Sequence, residues 1–211
     1  MITILIPPGW ADFGTPRVQS KEDVTPPRRG VPFIAGLSNA LVRAGVGTFG
    51  YEFPYSEHED FVPYSDIEMD EPEALLGTVR AAIAAAAAEA PDLPLFAGGH
   101  SVSGQMTSIA DSESPLPKVR GVVHLGFPLK GDMGRAAHFA DANSPMLLLQ
   151  GTEDALADVD QIKQVVDSIG AKATLHFVES ASHGFTVPGK KHEEVIEELA
   201  HTIADWTADL I

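Results

Sequence analysis

The sequence predicts an α/β fold: a mostly parallel sheet of six strands, covered by helices on both faces, in one domain spanning residues 1–211. Three observations carry this expectation. Short runs that are apolar on both faces recur along the chain, as expected of strands buried on both sides. Amphipathic helical patterns alternate with them, which is the signature of strand–helix–strand crossovers. The 211 residues, 44% of them hydrophobic, suffice for one core, and no internal repeat or linker divides them.

The elements follow in order. "ITILI" (2–6) opens the sheet, and "PFIAGLSNALVRAG" places Phe33, Leu37 and Leu41 on one helical face. "VGTFGYEF" (46–53) reads as the second strand. "DEPEALLGTVRAAIAAAAAEA" begins with Asp70 and Glu73 at capping-box spacing and aligns Leu75, Leu76, Val79 and Ile83. "LPLFA" (93–97), "GVVHLGF" (121–127) and "PMLLLQG" (145–151) read as strands, with room for one helix between the last two. "DQIKQVVDSIG" is a helix stopped by Gly170, and "ATLHFVE" (173–179) is the last strand. Val195, Ile196, Leu199, Ile203, Trp206 and Leu210 form the stripe of a closing helix.

Two connections, 8–31 and 54–69, are too long to be turns. Each follows a strand, and long ordered loops at the carboxyl ends of strands are where open α/β sheets bind ligands. They supply Trp10, Phe13, Tyr51, Phe53, Tyr55, Phe61 and Tyr64 as walls of an apolar, aromatic pocket.

Composition narrows the partners. Thirty acidic residues against fourteen basic ones give a formal charge of −16, which repels a nucleic-acid backbone. No run approaches the ~18 apolar residues of a membrane span. "MITILIPPGW" carries no basic region and reads as a strand rather than a signal peptide. The absence of cysteine excludes a disulfide framework, a thiolate metal site and a cysteine nucleophile, and fits a cytoplasmic location. "EHED" (57–60) and the acidic run Asp66, Glu68, Asp70 match neither an EF-hand loop nor a two-histidine helix motif, so no metal and no cofactor is expected.

The chemistry is expected at "GGHSVSGQ" (98–105), between an apolar strand and a helix. Gly99-His100-Ser101-Val102-Ser103 matches the nucleophile-elbow pattern except at its last position, where serine replaces glycine. Such a turn lifts a hydroxyl above the sheet and aims the free N–H groups of the following helix at an oxyanion. Ser103 is the rival nucleophile, but it falls inside the first helical turn. A serine needs a base, and the base an orienting acid. "MLLLQGTED" puts Asp154 just past a strand, with Glu153 and Asp158 as rivals. "LHFVESASHGF" puts His183 in the loop after the next strand. Of the other histidines, His124 and His176 lie within strands and read as satisfied core residues. His192 and His201 sit on the last helix, His58 and His138 follow no strand, and His100 is side by side with the serine.

In these segments the chain resembles the α/β-hydrolase superfamily. "GGHSVSGQ", "LLLQGTEDAL" and "SASHGFTVP" look like its elbow, acid and histidine segments, in the order Ser, Asp, His. "YEFPY" after the second strand is similar to the small lid-less hydrolases related to dienelactone hydrolase, including the testis-expressed-protein-like group. The resemblance implies a strand order of 2-1-3-4-5-6 and a triad of Ser101, Asp154 and His183. It also implies an oxyanion hole from the backbone N–H groups of Val102 and Trp10. Substrate contacts are expected on the two long loops, at Gly9, Phe13, Tyr55 and Phe61. The chain departs from the pattern in three places: it has no cysteine, Ser103 replaces the second elbow glycine, and Pro8 replaces the histidine before Gly9. The expected function is hydrolysis of a small, short-chain carboxylic ester through an acyl-enzyme. The rival is a non-catalytic binding module on the same fold.

Overall fold

A computed structural model of the protein describes residues 2–5, 31–51 and 72–211. The described elements, in chain order, are β1 (Ile2–Leu5), α1 (Val31–Arg43), β2 (Val46–Phe49), α2 (Pro72–Glu89), β3 (Leu95–His100), α3 (Val102–Glu113) and β4 (Val119–Leu125). A 3-10 helix (Met133–Asp141) then leads to β5 (Met146–Gly151), α4 (Val159–Ile169), β6 (Ala173–Val178) and α5 (His192–Ala208). The strands form one six-stranded sheet in the order β2-β1-β3-β4-β5-β6, and every neighbouring pair is parallel. Both the alternation of elements and the expected strand order are present.

The sheet is the middle layer of three. On one face α1 packs against α5 over Phe96, Val123, Leu125, Leu147 and Leu149, and Leu37, Leu41, Leu199 and Ile203 seal it. On the other face α2 and α3 bury Leu75, Val79, Ile83 and Met106, while α4 and the 3-10 helix bury Phe127, Phe139 and Ile162 against Val122 and Leu148. All six residues of β5 are buried, which is why "MLLLQG" shows no alternation. Truncating one of these fully buried leucines to alanine would cost about 2–5 kcal/mol. Tyr51, read from the sequence as a pocket wall, instead lies in the α2–α3 core, 3% exposed.

Two boundaries differ from the sequence expectation in ways that matter for the site. β3 runs on through Gly98, Gly99 and His100, because these residues continue the ladder against Val123, His124 and Leu125. Helix α3 then starts at Val102, directly after Ser101, with no intervening loop. Between β4 and β5 the single expected helix is of the 3-10 type. Among the described residues no helix is long and apolar enough to cross a membrane.

Candidate functional site

Topology explains where the site forms. From β1 the chain passes to β2 on one side of it and later to β3 on the other, so the strand order reverses beside β1. Open α/β sheets place ligands outside the carboxyl ends of the strands at such a point. Ser101 follows β3, Asp154 follows β5 and His183 follows β6, so all three stand at that edge.

Ser101 adopts φ 58° and ψ −125°, a backbone region that side-chain-bearing residues rarely occupy. Such a conformation costs about 1–3 kcal/mol and persists only where the surroundings impose it. They do so here. Ser101 N–H donates to Leu125 O at 2.8 Å, continuing the β3–β4 ladder, while Val102 already belongs to α3. The turn is sharp enough that a Cβ on Gly99 would stand 2.5 Å from Ser103 Cβ. That contact accounts for the departure at Ser103. The fifth position of the motif tolerates a side chain because the first has none. Ser101 is 2% exposed and makes no capping bond to its helix. Val102 N–H heads α3, where an α-helix leaves its amides without intrahelical acceptors.

Asp154 and His183 are brought together. His183 Nδ1 lies 2.8 Å from Asp154 Oδ2. A carboxylate only accepts, so Nδ1 carries the proton and Nε2 of the neutral ring is left as an acceptor. Nε2 is buried and has no hydrogen-bond partner among the described residues. Gly126 makes room for the ring. At φ 63° it turns the chain away after β4, and a Cβ there would meet His183 Nδ1 at 3.2 Å. Because Ser101 is bonded to Leu125, the residue before Gly126, the histidine ring and the strained serine share one strand end.

The acid is held on both oxygens. Besides His183, Oδ2 accepts from Gln150 Nε2 at 2.7 Å, and Oδ1 accepts from Leu156 N–H at 2.8 Å. Burial alone would raise the Asp154 pKa, but the hydrogen bonds from His183, Leu156 and Gln150 together hold it below the ordinary carboxylate value. Its loop is laced to the one after β4: Lys130 Nζ donates to Ala155 O at 3.0 Å and Asp158 N–H to Leu129 O at 2.7 Å. The two rival carboxylates are placed differently. Asp158 caps α4 by accepting from the N–H groups of Asp160 and Gln161, and Glu153 is exposed.

The other histidines sort differently from the sequence reading. His124 is buried as expected but not satisfied, since neither ring nitrogen has a hydrogen-bond partner among the described residues. Burial and the nearby His138 lower its pKa to about 3. His176 is half-buried on the edge strand, with Nε2 4.0 Å from Glu198 Oε1, and is not a core residue. His138 Nε2 lies 2.8 Å from Ser108 Oγ, and its burial lowers its pKa to about 4. Sequence reasoning missed Gln150, because an amide inside an apolar strand carries no signal until the fold brings the Asp154 carboxylate, four residues on, within reach of it. Trp10, Gly9, Phe13, Tyr55 and Phe61 lie outside the described residues.

Comparison with known proteins agrees with this architecture. A family model described as an alpha/beta hydrolase domain matches residues 28–208. The chain is similar to a dienelactone hydrolase from Anabaena variabilis, with 17% identity, a TM-score of 0.67 and coverage of 100% of this chain and 86% of that one. It is similar to an alpha-beta serine hydrolase homologue from Coxiella burnetii, with 18% identity, a TM-score of 0.66 and coverage of 97% and 84%. An α/β serine hydrolase without a lid from Xanthomonas campestris shows 17% identity, a TM-score of 0.64 and coverage of 97% and 82%.

Proposed function

Since the chain belongs to the alpha/beta hydrolase family, we propose that it is a serine hydrolase acting on a small, short-chain carboxylic ester, with Ser101 as nucleophile, His183 as base and Asp154 as the orienting acid. Family and fold support hydrolase activity. The observation that carries the finer reading is the tautomer of His183: its proton is committed to Asp154, and an unpartnered acceptor nitrogen is left at the strand end that also carries Ser101.

In this mechanism His183 Nε2 accepts the Ser101 proton as Oγ attacks the ester carbonyl. Asp154 holds the imidazole in that tautomer and stabilises the imidazolium. Val102 N–H, together with Trp10 N–H, binds the oxyanion. His183 returns the proton to the leaving alcohol. A water activated by the same nitrogen then releases the acid and restores Ser101. Gly9, Phe13, Tyr55 and Phe61 are assigned to the walls of the acyl site. The connection between β4 and β5 holds a 3-10 helix of nine residues, too short for a cap domain, which supports preference for short acyl chains.

Reaction with a fluorophosphonate followed by peptide mapping tests the assignment. Label is expected on Ser101 alone. Label on Ser103, or none on folded protein, would overturn it, and the latter outcome would favour a binding module. Across esters from acetyl to dodecanoyl, the rate is expected to be highest at the short end.

A further inference from the structure

We infer that His100 and His192 form a clamp that positions the turn carrying His183, a role that rests on the triad reading above. The two imidazoles come from different elements, the end of β3 and the first turn of α5. They converge on consecutive carbonyls: His100 Nε2 lies 2.9 Å from His183 O, and His192 Nε2 lies 3.1 Å from Gly184 O. A carbonyl only accepts, so both rings must donate from Nε2.

The rings are packed as one unit. Phe33 of α1 stacks on His192 with centroids 5.8 Å apart and meets His100 edge-on at 5.5 Å. Phe185, next but one after the base, stacks on Phe33 at 5.4 Å. The His100 and His183 rings are themselves 4.7 Å apart. Phe185 is fully buried yet held at φ 56°, strained for a bulky residue. A strained turn keeps its shape only when its surroundings over-determine it. Here the backbone bonds Phe185 N–H to Ser182 O and Ser182 N–H to Thr186 O close the turn, and the two imidazoles fix its outer carbonyls.

His100 also immediately precedes Ser101. Its bond to His183 O therefore ties the backbone of the nucleophile to that of the base, so that elbow and turn move together. A displacement of about 1 Å between reacting groups can cost about 100-fold in rate. Neither histidine touches the reacting atoms in this scheme, and both act through His183.

Two measurements test the clamp. In wild-type protein, ¹⁵N spectra of the imidazoles in weakly alkaline buffer are expected to show both His100 and His192 as the Nε2–H tautomer. An Nδ1–H tautomer at either one overturns the clamp, whatever the activity. In variants, His100→Met and His192→Met remove the donor at similar size, whereas His100→Gln and His192→Gln keep an N–H near the same place. Each Met variant is expected to lower kcat by about 10-fold with KM little changed, and to broaden the far-downfield proton between His183 and Asp154. The Gln variants are expected to stay within about 3-fold of wild type with a sharp signal. Met variants with wild-type kcat and an unaltered downfield proton would overturn the clamp, as would Gln variants no better than Met. If wild-type protein hydrolyses no ester, the functional reading fails, while the tautomers and the downfield proton still decide the clamp.

Discussion

Two turns at the carboxyl edge of the sheet each hold one side-chain-bearing residue at positive φ, Ser101 at 58° and Phe185 at 56°, and they sustain it by different means. In the elbow the strained residue is the proposed nucleophile, and its hydroxyl makes no capping bond. The strain is imposed by the β3–β4 ladder on one side and α3 on the other. In the histidine turn the strained residue is a neighbour of the proposed base, and burial of its ring offsets the cost. One turn is forced by backbone, the other by side-chain packing. The elbow therefore advertises itself through small residues, whereas the histidine turn depends on residues scattered along the chain.

The largest expected effect removes the nucleophile. Ser101→Ala should lower kcat/KM by about 10⁴-fold or more, some 5.5 kcal/mol of transition-state stabilisation, with no loss of folded protein. Wild-type turnover in pure variant protein would remove Ser101 from the mechanism. Asp154→Asn should be almost as severe, about 10⁴-fold, because the amide favours the wrong tautomer of His183. Glu153→Gln should be silent in the same assay. The reverse result would transfer the role to Glu153.

Stability separates the two turns by sign. Ser101→Gly relieves a conformation that packing does not repay, and urea unfolding should show a gain of about 1 kcal/mol. Phe185→Gly relieves the same kind of strain but empties a fully buried site, so a net loss of about 3 kcal/mol or more is expected. Two changes of the same sign would mean that both turns rest on the same kind of support.

An effect of pH on stability concerns the floor of the elbow. His124 Nδ1 lies 3.0 Å from where a Cβ on Gly104 of α3 would stand, and the ring is flanked by Phe127 and Phe139. Its folded pKa is lowered to about 3, against 6.5 for an ordinary histidine. Between these values the unfolded chain binds a proton that the folded protein refuses, so stability rises with pH across that window and falls on acidification. From pH 7 to pH 5 the loss attributable to His124 should be about 2 kcal/mol. Asp154 acts in the same sense further down. Its lowered pKa contributes stability above the unfolded carboxylate value that is lost as pH falls through the folded one. Urea midpoints for wild type and His124→Leu at pH 7 and pH 5 measure the difference. An equal slope in both proteins would show that another group governs the acid limb.

The sequence by itself determined the layers, the strands and the elbow, because these depend on local patterns. Buried parallel strands must be apolar throughout, amphipathic helices must repeat with the helical period, and a tight strand-to-helix turn needs small residues such as Gly99 around it. Order along the chain pointed to Asp154, with Glu153 and Asp158 as rivals, and to His183, since each follows a strand whose carboxyl end faces the same edge. Only the tertiary structure decided how those residues are held. Gln150 reaches Asp154 because β5 ends in a turn back toward itself, and Gly126 is needed because the ring of His183, 57 positions on, lies across it. His100 and His192 meet at one turn, although neither carries a local signal for doing so. Hydrogen bonds and ring contacts act over a few ångströms in space whatever the separation along the chain. A linear pattern can name candidate groups for chemistry, but only the packed fold shows which others hold them in place.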